Sequence, residues 1–278
     1  MEDAVAGTVA VTESGPAAVE AAASWPTGEV LREIARGGIA GLIVGVVVGG
    51  FGGRLFMRVA TLLHPEAVGL STQNGNRIGD ITLAGSLGLI VFVGLFAGLG
   101  IAVVWVTVQP WIPGSGIRRA ILTMPVAISL GSFGLLEVPN PDFLILGYDP
   151  VIVALIIVFT AALGFSVAVV DGWLDRRLPP ARASGSATAI AYLSLTIIGL
   201  VLGGVMIVPA FVASELRWVG FSLVVTGIAT LAWWYERTRG HDRPSRWVSA
   251  AGRGGLVAAV AFGFVMVAMD ASAALGLR

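Results

Sequence analysis

Long apolar segments, separated by short polar connections, follow one another along most of the chain. A transmembrane helix needs about 20 apolar residues, and seven segments reach that length. Connections rich in Gly and Pro, such as "PWIPGSG" and "LPPARASGS", separate them. The pattern predicts an all-α polytopic membrane protein, a bundle of seven transmembrane helices. The segments are 37–60, 81–109, 119–137, 151–171, 188–213, 218–235 and 254–275.

The composition supports a membrane location. Hydrophobic residues make up 56% of the chain and charged residues only 12%, with a mean hydropathy of +0.89. Soluble domains carry about 25% charged residues. The chain is too apolar to bury its hydrophobic surface in one soluble core, so we expect the lipid bilayer to be its partner. Ala is abundant, and every Lys or Arg position is Arg. This composition favours a bacterial cell membrane, namely the inner membrane.

The N-terminal residues differ from the rest. Residues 1–24 contain four acidic residues and no basic one, which is unlike a secretory signal and typical of a disordered acidic tail. Residues 25–36 predict an amphipathic interfacial helix that leads into the first apolar segment. The domain organisation predicted is therefore a tail at 1–24, an interfacial helix at 25–36 and a seven-helix transmembrane domain at 37–278.

The arginines predict the orientation. With the N-terminus inside, twelve arginines flank the inner ends of the seven segments and three flank the outer ends. Cytoplasmic connections carry the excess of basic residues in membrane proteins. The N-terminus is therefore predicted to be cytoplasmic and the C-terminus outside.

The first outer connection contains a turn signal. Asn74-Gly75 is a strong two-residue hairpin turn, and the flanking positions at Leu70, Thr72 and Ile78 suit short strands. An isolated hairpin is marginal in water, so it would lean on the outer ends of the helices. The sequence predicts a short β-hairpin over residues 69–80.

The first apolar segment has glycine at every fourth position. Residues four apart lie on one helix face, and helices in lipid associate through close packing of small residues. The repeat therefore predicts a smooth helix-packing groove. Three uses remain open: packing within the chain, a homo-oligomer seam, or a sliding face in a transporter. The groove consists of Gly37, Gly41, Gly45, Gly49 and Gly53.

Several kinds of chemistry lack their residues. Cys and Lys are absent, and the two histidines, His64 and His241, are predicted on opposite sides of the membrane. The formal net charge is zero, so nothing indicates nucleic acid. We expect no metal and no cofactor. No nucleophile and base stand out, so an enzyme is not favoured, although a carboxylate-based site at the outer face stays an alternative.

Charges near the outer ends of three segments form the candidate site. Counted from the inner arginines, Arg54, Glu137 and Asp270 all lie about 26 Å into a core about 30 Å thick. Each charge can reach the outer surface, or the three can pair between helices. Pairing would create a site for a small anion or solute. The candidate outer polar network is Arg54, Glu137 and Asp270, with Arg58, Arg77 and Asp80 at its rim.

Two functions follow as hypotheses. The first is a non-enzymatic structural or accessory membrane protein, packed through glycine-rich helix faces against itself as a homo-oligomer or against a membrane partner. The alternative is a small-solute or ion transporter with a polar site in the outer half of the bundle.

Overall fold

The computed structural model describes residues 16–70, 83–136, 150–180, 190–199, 201 and 217–277. These residues form helices and turns, and none of them lies in a β-strand, which confirms the all-α prediction for this part of the chain. The helices are α1 (Pro16–Val44), α2 (Gly52–Leu63), α3 (Leu83–Gly88), α4 (Leu95–Val108), α5 (Gly116–Gly131), α6 (Phe133–Leu136), α7 (Pro150–Arg177), α8 (Ile190–Gly199), α9 (Arg217–Thr238) and α10 (Arg246–Ala274).

Several of these helices are long and apolar enough to cross a membrane. Among the described residues there are four, or five when one bent pair is counted as a single span. The bent pair is Leu95–Trp111 with Gly116–Gly131. The prediction of an apolar, helical membrane protein is confirmed at this level. The four helices are Thr27–Leu63, Pro150–Arg177, Arg217–Thr238 and Arg246–Ala274.

The chain reverses sharply between α4 and α5. The two helices of the bent pair make an angle of 119°. Gly114 and Gly116 have φ values of 95° and 55°, a left-handed conformation that residues with a Cβ rarely adopt. A 3₁₀ turn at Gln109–Trp111 precedes them. The turn brings the start of α5 close to the end of α4.

Each of the first two apolar segments of the chain contains a π-helical stretch. Gly45–Phe51 joins α1 to α2, and Leu89–Gly94 joins α3 to α4. The two π segments pack against each other. Because π-helical hydrogen bonds span five residues rather than four, each segment changes which residues face the neighbouring helix.

The helices pack as a bundle with two apolar clusters. α1 packs against α4 and α7, α5 packs against α7 and α10, and α9 packs against α10. The larger cluster lies between these helices and includes the buried residues Trp105, Val108, Trp111, Val167 and Leu223. The smaller cluster, called the outer cluster below, consists of Ala60, Ala67, Leu136, Ile152, Val153, Ile156 and Val267.

Some predicted elements lie outside the described residues. These are the hairpin turn at Asn74-Gly75 with most of the segment 69–80, and most of the fifth apolar segment, 188–213. Helix α1 begins at Pro16, within the stretch 1–24 for which the sequence predicts a tail.

Candidate functional site at the inner end of the helices

A group of polar residues from α1, α5, α7 and the end of α4 meets at one end of the bundle. This is the end that the arginine distribution predicts to be cytoplasmic. Its side chains lie partly between the helices and not only at the surface of the bundle. The group, called the inner cluster below, consists of Arg32, Arg36, Gln109, Arg119, Asp171 and Asp175.

Asp171 is the buried centre of the inner cluster. It is 1% exposed, and Arg36 Nε donates a hydrogen bond to its Oδ1 at 2.8 Å. Arg36 Nη1 also donates to Asp175, which lies one helical turn further along the same face of α7. A buried carboxylate is costly unless it is paired and hydrogen-bonded. The Arg36 guanidinium supplies that pairing and joins α1 to α7.

Arg32 holds the C-terminal end of α7. Its Nε donates to Pro179 O at 3.1 Å, and its Nη2 donates to Asp175 O at 2.7 Å and to Leu178 O at 3.1 Å. Its Nη1 donates to Asp175 Oδ1 at 3.0 Å. The last carbonyl groups of a helix have no partner within the helix, and a cation there also interacts favourably with the helix dipole. One arginine of α1 therefore caps α7.

Arg119 approaches Asp171 from the other side. Its Nη1 lies 3.7 Å from Asp171 Oδ2, and its Nη2 donates to the backbone carbonyl of Gln109. Its guanidinium carbon lies 5.0 Å from the centroid of the Trp105 ring, in a cation–π arrangement. Asp171 thus lies between Arg36 and Arg119, and its single negative charge links α7 to both α1 and α5.

Buried polar atoms without hydrogen-bond partners lie beside this ion pair. They are Trp105 Nε1, both side-chain polar atoms of Gln109, and Arg119 Nε. Trp105 and Gln109 are 2% and 1% exposed and lie one helical turn apart. A Cβ placed on Gly37 would lie 3.3 Å from Trp105 Cδ1 and 3.4 Å from Gln109 Nε2. Both side chains therefore face α1 at Gly37, where their polar atoms stay unsatisfied at a cost in free energy.

A further ion pair extends the inner cluster to α9. Arg237 donates to Glu33 of α1, and its guanidinium lies 5.7 Å from the Trp233 ring centroid. Counted with Glu29, which lies 3.7 Å from Arg32, the paired charges at this end are equal in number, four basic and four acidic. They are Arg32, Arg36, Arg119 and Arg237, balanced by Glu29, Glu33, Asp171 and Asp175.

The arrangement suits helix association better than bond-making chemistry. Each carboxylate of the inner cluster is occupied by guanidinium groups, so none is placed to remove a proton from a substrate. No three His, Asp or Glu side chains in the described parts of the chain are grouped so as to hold a metal ion.

Three of the predicted packing glycines lie against the second hydrophobic helix. A Cβ on Gly41 would overlap the backbone of Ala102, and one on Gly45 would overlap the backbone of Gly98. Gly37 faces Trp105 and Gln109, as described above. Gly49 has open space at its Cβ position, and Gly53 is half-buried.

The π segment explains why the close contact does not continue to Gly49. Beyond Gly45 the extra residue per turn moves the contact to Gly50, whose Cβ would lie 3.0 Å from Ile90 Cα. Gly52 then faces Phe159 of α7. The groove therefore rotates around the helix halfway along its length.

The predicted outer polar network is described only in part. Arg54 and Asp270 are half-buried and Arg58 is exposed, whereas Arg77, Asp80 and Glu137 lie outside the described residues. Residues next to these positions, such as Met57 and Ala271, pack against the outer cluster. The network stays a prediction.

Sequence reasoning assigned the inner charges to the positive-inside pattern and did not predict the inner cluster. A signal was present, because Arg32 with Arg36 and Asp171 with Asp175 are two charge pairs at four-residue spacing. Each pair occupies one helix face, and matching faces of opposite charge can associate. Asp171 also interrupts the apolar run "VAVVDGW", where a charge needs a partner.

No protein-family model matches the chain, and no curated protein or solved structure matches it either.

Proposed function

We propose that the chain is a seven-span integral protein of a bacterial inner membrane, with its N-terminus in the cytoplasm and its C-terminus outside. Its function is non-enzymatic: it is a structural or accessory protein, a bundle of fixed shape packed through glycine-rich helix faces. The observation that carries the proposal is the contact of α1 and the π segment after it with α4 at backbone distance. Gly41 meets Ala102 and Gly45 meets Gly98. Such contacts leave no room for solute between these helices.

Close glycine contacts recur at other helix pairs. A Cβ on Gly164 of α7 would lie 2.8 Å from Thr123 O of α5, and one on Gly255 of α10 would lie 3.0 Å from Ser222 O of α9. A Cβ on Gly263 would overlap the backbone of Ser129. Lipid supplies no hydrophobic driving force between helices, so close packing of this kind is what holds them together.

The inner cluster supports the orientation as well as the fixed shape. Its ion pairs place residues near Arg36 and Arg119 at the same end of the bundle as the C-terminal ends of α7 and α9. That end is the one with the arginine excess. Reporter fusions at residues 145 and 240 test the orientation: we expect an external signal at 145 and a cytoplasmic one at 240, and the reverse pattern would contradict it.

The second candidate is a small-solute or ion transporter. The sequence predicts its polar site in the outer half, but the observation that favours transport lies at the inner end. There, Trp105 Nε1, the side-chain amide of Gln109 and Arg119 Nε have no hydrogen-bond partner. A second conformation that separates α1 from α4 near Gly37 would let water or solute reach these atoms.

A cysteine-accessibility experiment separates the two candidates, because the natural chain contains no Cys. Ser129→Cys and Ser222→Cys are nearly isosteric changes at buried positions between helices, and His241→Cys is an exposed control on an inner turn. A water-soluble methanethiosulfonate reagent modifies only thiols that meet water. The fixed bundle predicts rapid modification at 241 and none at 129 or 222 over hours, in open membrane fragments.

Modification of either buried cysteine would mean that water enters the bundle, and transport would replace the accessory role. Gln109→Cys tests in the same way whether water reaches the inner cluster. Its modification alone would place the water-filled region at the inner cluster rather than in the outer half.

An accessory role also requires a partner in the membrane. A second copy of the chain is the simplest one. It would have to pack by shape against the exposed apolar faces of α9 and α10, which include Phe221, Ile228 and Val265. Native mass spectrometry of the detergent-solubilised chain would measure the oligomeric state directly.

A further inference from the structure

The arginines at the inner end fall into two groups. Those of the inner cluster and Arg237 are paired with acidic residues, as described above. The second group is exposed, and the described part of the chain offers its members no acidic partner. This second group consists of Arg118, Arg176, Arg177, Arg239, Arg243, Arg246 and Arg253. Arg177 and Arg239 lie over the rings of Trp173 and Tyr235, and the other five are called the rim arginines below.

Two rim arginines lie on one side of the first turns of α10. Arg246 and Arg253 are seven residues apart, which is two helical turns and about 10.5 Å along the axis. At about 100° per residue they project in nearly the same direction. No Asp or Glu occurs between Arg246 and Met269. Two guanidinium groups therefore face outward without a counter-charge from their own helix.

The neighbouring surface of α10 is shallow and apolar. Ala250 and Gly254 form its floor, and a Cβ placed on Gly254 would meet nothing within 4 Å. Trp247 borders the floor on the side opposite the arginines and is 86% exposed. Val257, 68% exposed, continues the surface toward the membrane interior. The opposite face of α10, at Gly252 and Gly255, packs against Trp111 and α9 instead.

We infer that this face of α10 binds an anionic phospholipid of the cytoplasmic leaflet, with the phosphate on Arg246 and Arg253 and an acyl chain along Ala250, Gly254 and Val257. The inference goes beyond the proposed function, and it uses the orientation proposed above. Guanidinium groups bind phosphate oxygens in a bidentate manner, and the anionic leaflet attracts arginines near its surface.

The occupant is a lipid rather than a free phosphate because charge and apolar surface are continuous here. Trp247 is at the level where indole rings prefer the headgroup region. Below the arginines the surface is uninterrupted apolar helix down to Val265. A soluble anion would use the arginines but gain nothing from the floor between Trp247 and Val257.

The test measures retention of lipid by the purified full-length chain in mild detergent, using native mass spectrometry. Phosphatidylglycerol is the probe, and phosphatidylcholine and inorganic phosphate are the comparison ligands. Each arginine near an anionic surface contributes about a fivefold factor in affinity, so Arg246→Gln with Arg253→Gln should weaken phosphatidylglycerol binding about 25-fold.

The matched control removes the same number of charges from the rim. Arg118→Gln with Arg176→Gln should leave phosphatidylglycerol binding within about twofold of the natural chain, because these arginines lie on other helices. Gly254→Leu fills the floor without changing the charge and should weaken lipid binding while leaving the arginines in place. Melting temperatures of the lipid-free variants check that each one is folded.

Three outcomes would overturn the inference. Equal losses in the two double variants would mean diffuse attraction to the whole rim. Binding of phosphatidylcholine as tight as that of phosphatidylglycerol would mean that charge is not recognised. Displacement of the lipid by equimolar inorganic phosphate would mean a phosphate site that makes no use of the acyl chain.

Discussion

The two ends of the bundle are held together by different interactions. At the inner end, Asp171 lies between Arg36 and Arg119, and Arg32 caps the helix that carries it. At the outer end the corresponding contacts are alkyl, with Ala60, Leu136 and other small or aliphatic residues in the outer cluster. In the part of the chain that the structure describes, ion pairs are enclosed at one end, while the cluster at the other end is aliphatic, with Arg54 and Asp270 half-buried near it.

This contrast indicates which end contributes most to the stability of the bundle. Aliphatic contacts between helices gain little in lipid, because lipid tails are as apolar as leucine. Enclosed ion pairs are costly to separate, because either partner left alone is a buried charge. We therefore expect the inner end to respond strongly to single substitutions and the outer end to respond weakly.

The largest effect should come from removing the central carboxylate. Asp171→Ala leaves Arg36 and Arg119 with less counter-charge inside the bundle, and breaking such a buried pair costs about 3–5 kcal/mol. We expect the lower half of that range, because Arg36 keeps its bond to Asp175. The melting temperature and the unfolding free energy in detergent measure the loss.

Asp242→Ala is the matched control for this prediction. Asp242 is exposed on the turn before α10, and its removal should change stability by no more than about 0.5 kcal/mol. A loss at Asp171 no larger than that at Asp242 would mean that the inner end is not held by its charges.

The second effect tests the glycine contact. Gly45→Ala introduces a Cβ that overlaps the backbone of Gly98, and overpacking of this kind costs about 1–3 kcal/mol. Gly38→Ala makes the same change two helical turns earlier, where nothing lies within 4 Å of the added Cβ, and it should be neutral or slightly stabilising. Equal stabilities of the two variants would show that α1 and α4 are not in contact at Gly45.

Much of the helical pattern could be predicted from the sequence, because apolar length and four-residue spacing are local properties. The spacing of Gly37, Gly41 and Gly45 predicts the face that α4 meets. It does not predict the change of face at Gly50, because the π segment there results from the packing of two helices against each other. Local spacing assumes one helical period along the whole segment.

The inner cluster was missed for a related reason, because spacing shows two charged helix faces but not that they meet. Arg36 and Asp171 are 135 residues apart in sequence, and only the packing of α1 on α7 brings them together. The arginine count assigns the helix ends that carry Arg36 and Asp171 to the cytoplasmic side. It does not distinguish a paired charge from an exposed one such as Arg176. The predicted outer network would also require contacts between helices, and it stays a prediction.

A double-mutant cycle tests whether the outer end also contains a network of charges. If Arg54 and Asp270 belong to one network, Arg54→Ala and Asp270→Ala together should cost at least about 0.5 kcal/mol less than the sum of the single losses. The matched cycle pairs Arg58→Ala with Asp270→Ala, since Arg58 is exposed one turn further along α2. Strict additivity with Arg54 would leave the outer charges independent and the outer end purely aliphatic.

The smallest effect concerns the turn that follows α2 at the outer end. The pKa of Glu66 is lowered from its ordinary value, first by a hydrogen bond from its own backbone N–H and then by its bond with His64, where His64 Nδ1 lies 3.0 Å from Glu66 Oε1. A carboxyl whose pKa is lower in the folded state stabilises that state above its unfolded pKa of about 4.3. The contribution is lost as the pH falls through the lowered folded pKa.

Because Glu66 is fully exposed, its hydrogen bonds compete with water, and the effect on melting temperature should be near the limit of detection. Glu66→Gln should therefore match the natural chain once the pH is below the lowered folded pKa of Glu66, and differ from it slightly at pH 6. The carboxyl ¹³C resonance that disappears in Glu66→Gln measures the pKa directly, and a midpoint at or above the ordinary glutamate value would contradict the prediction.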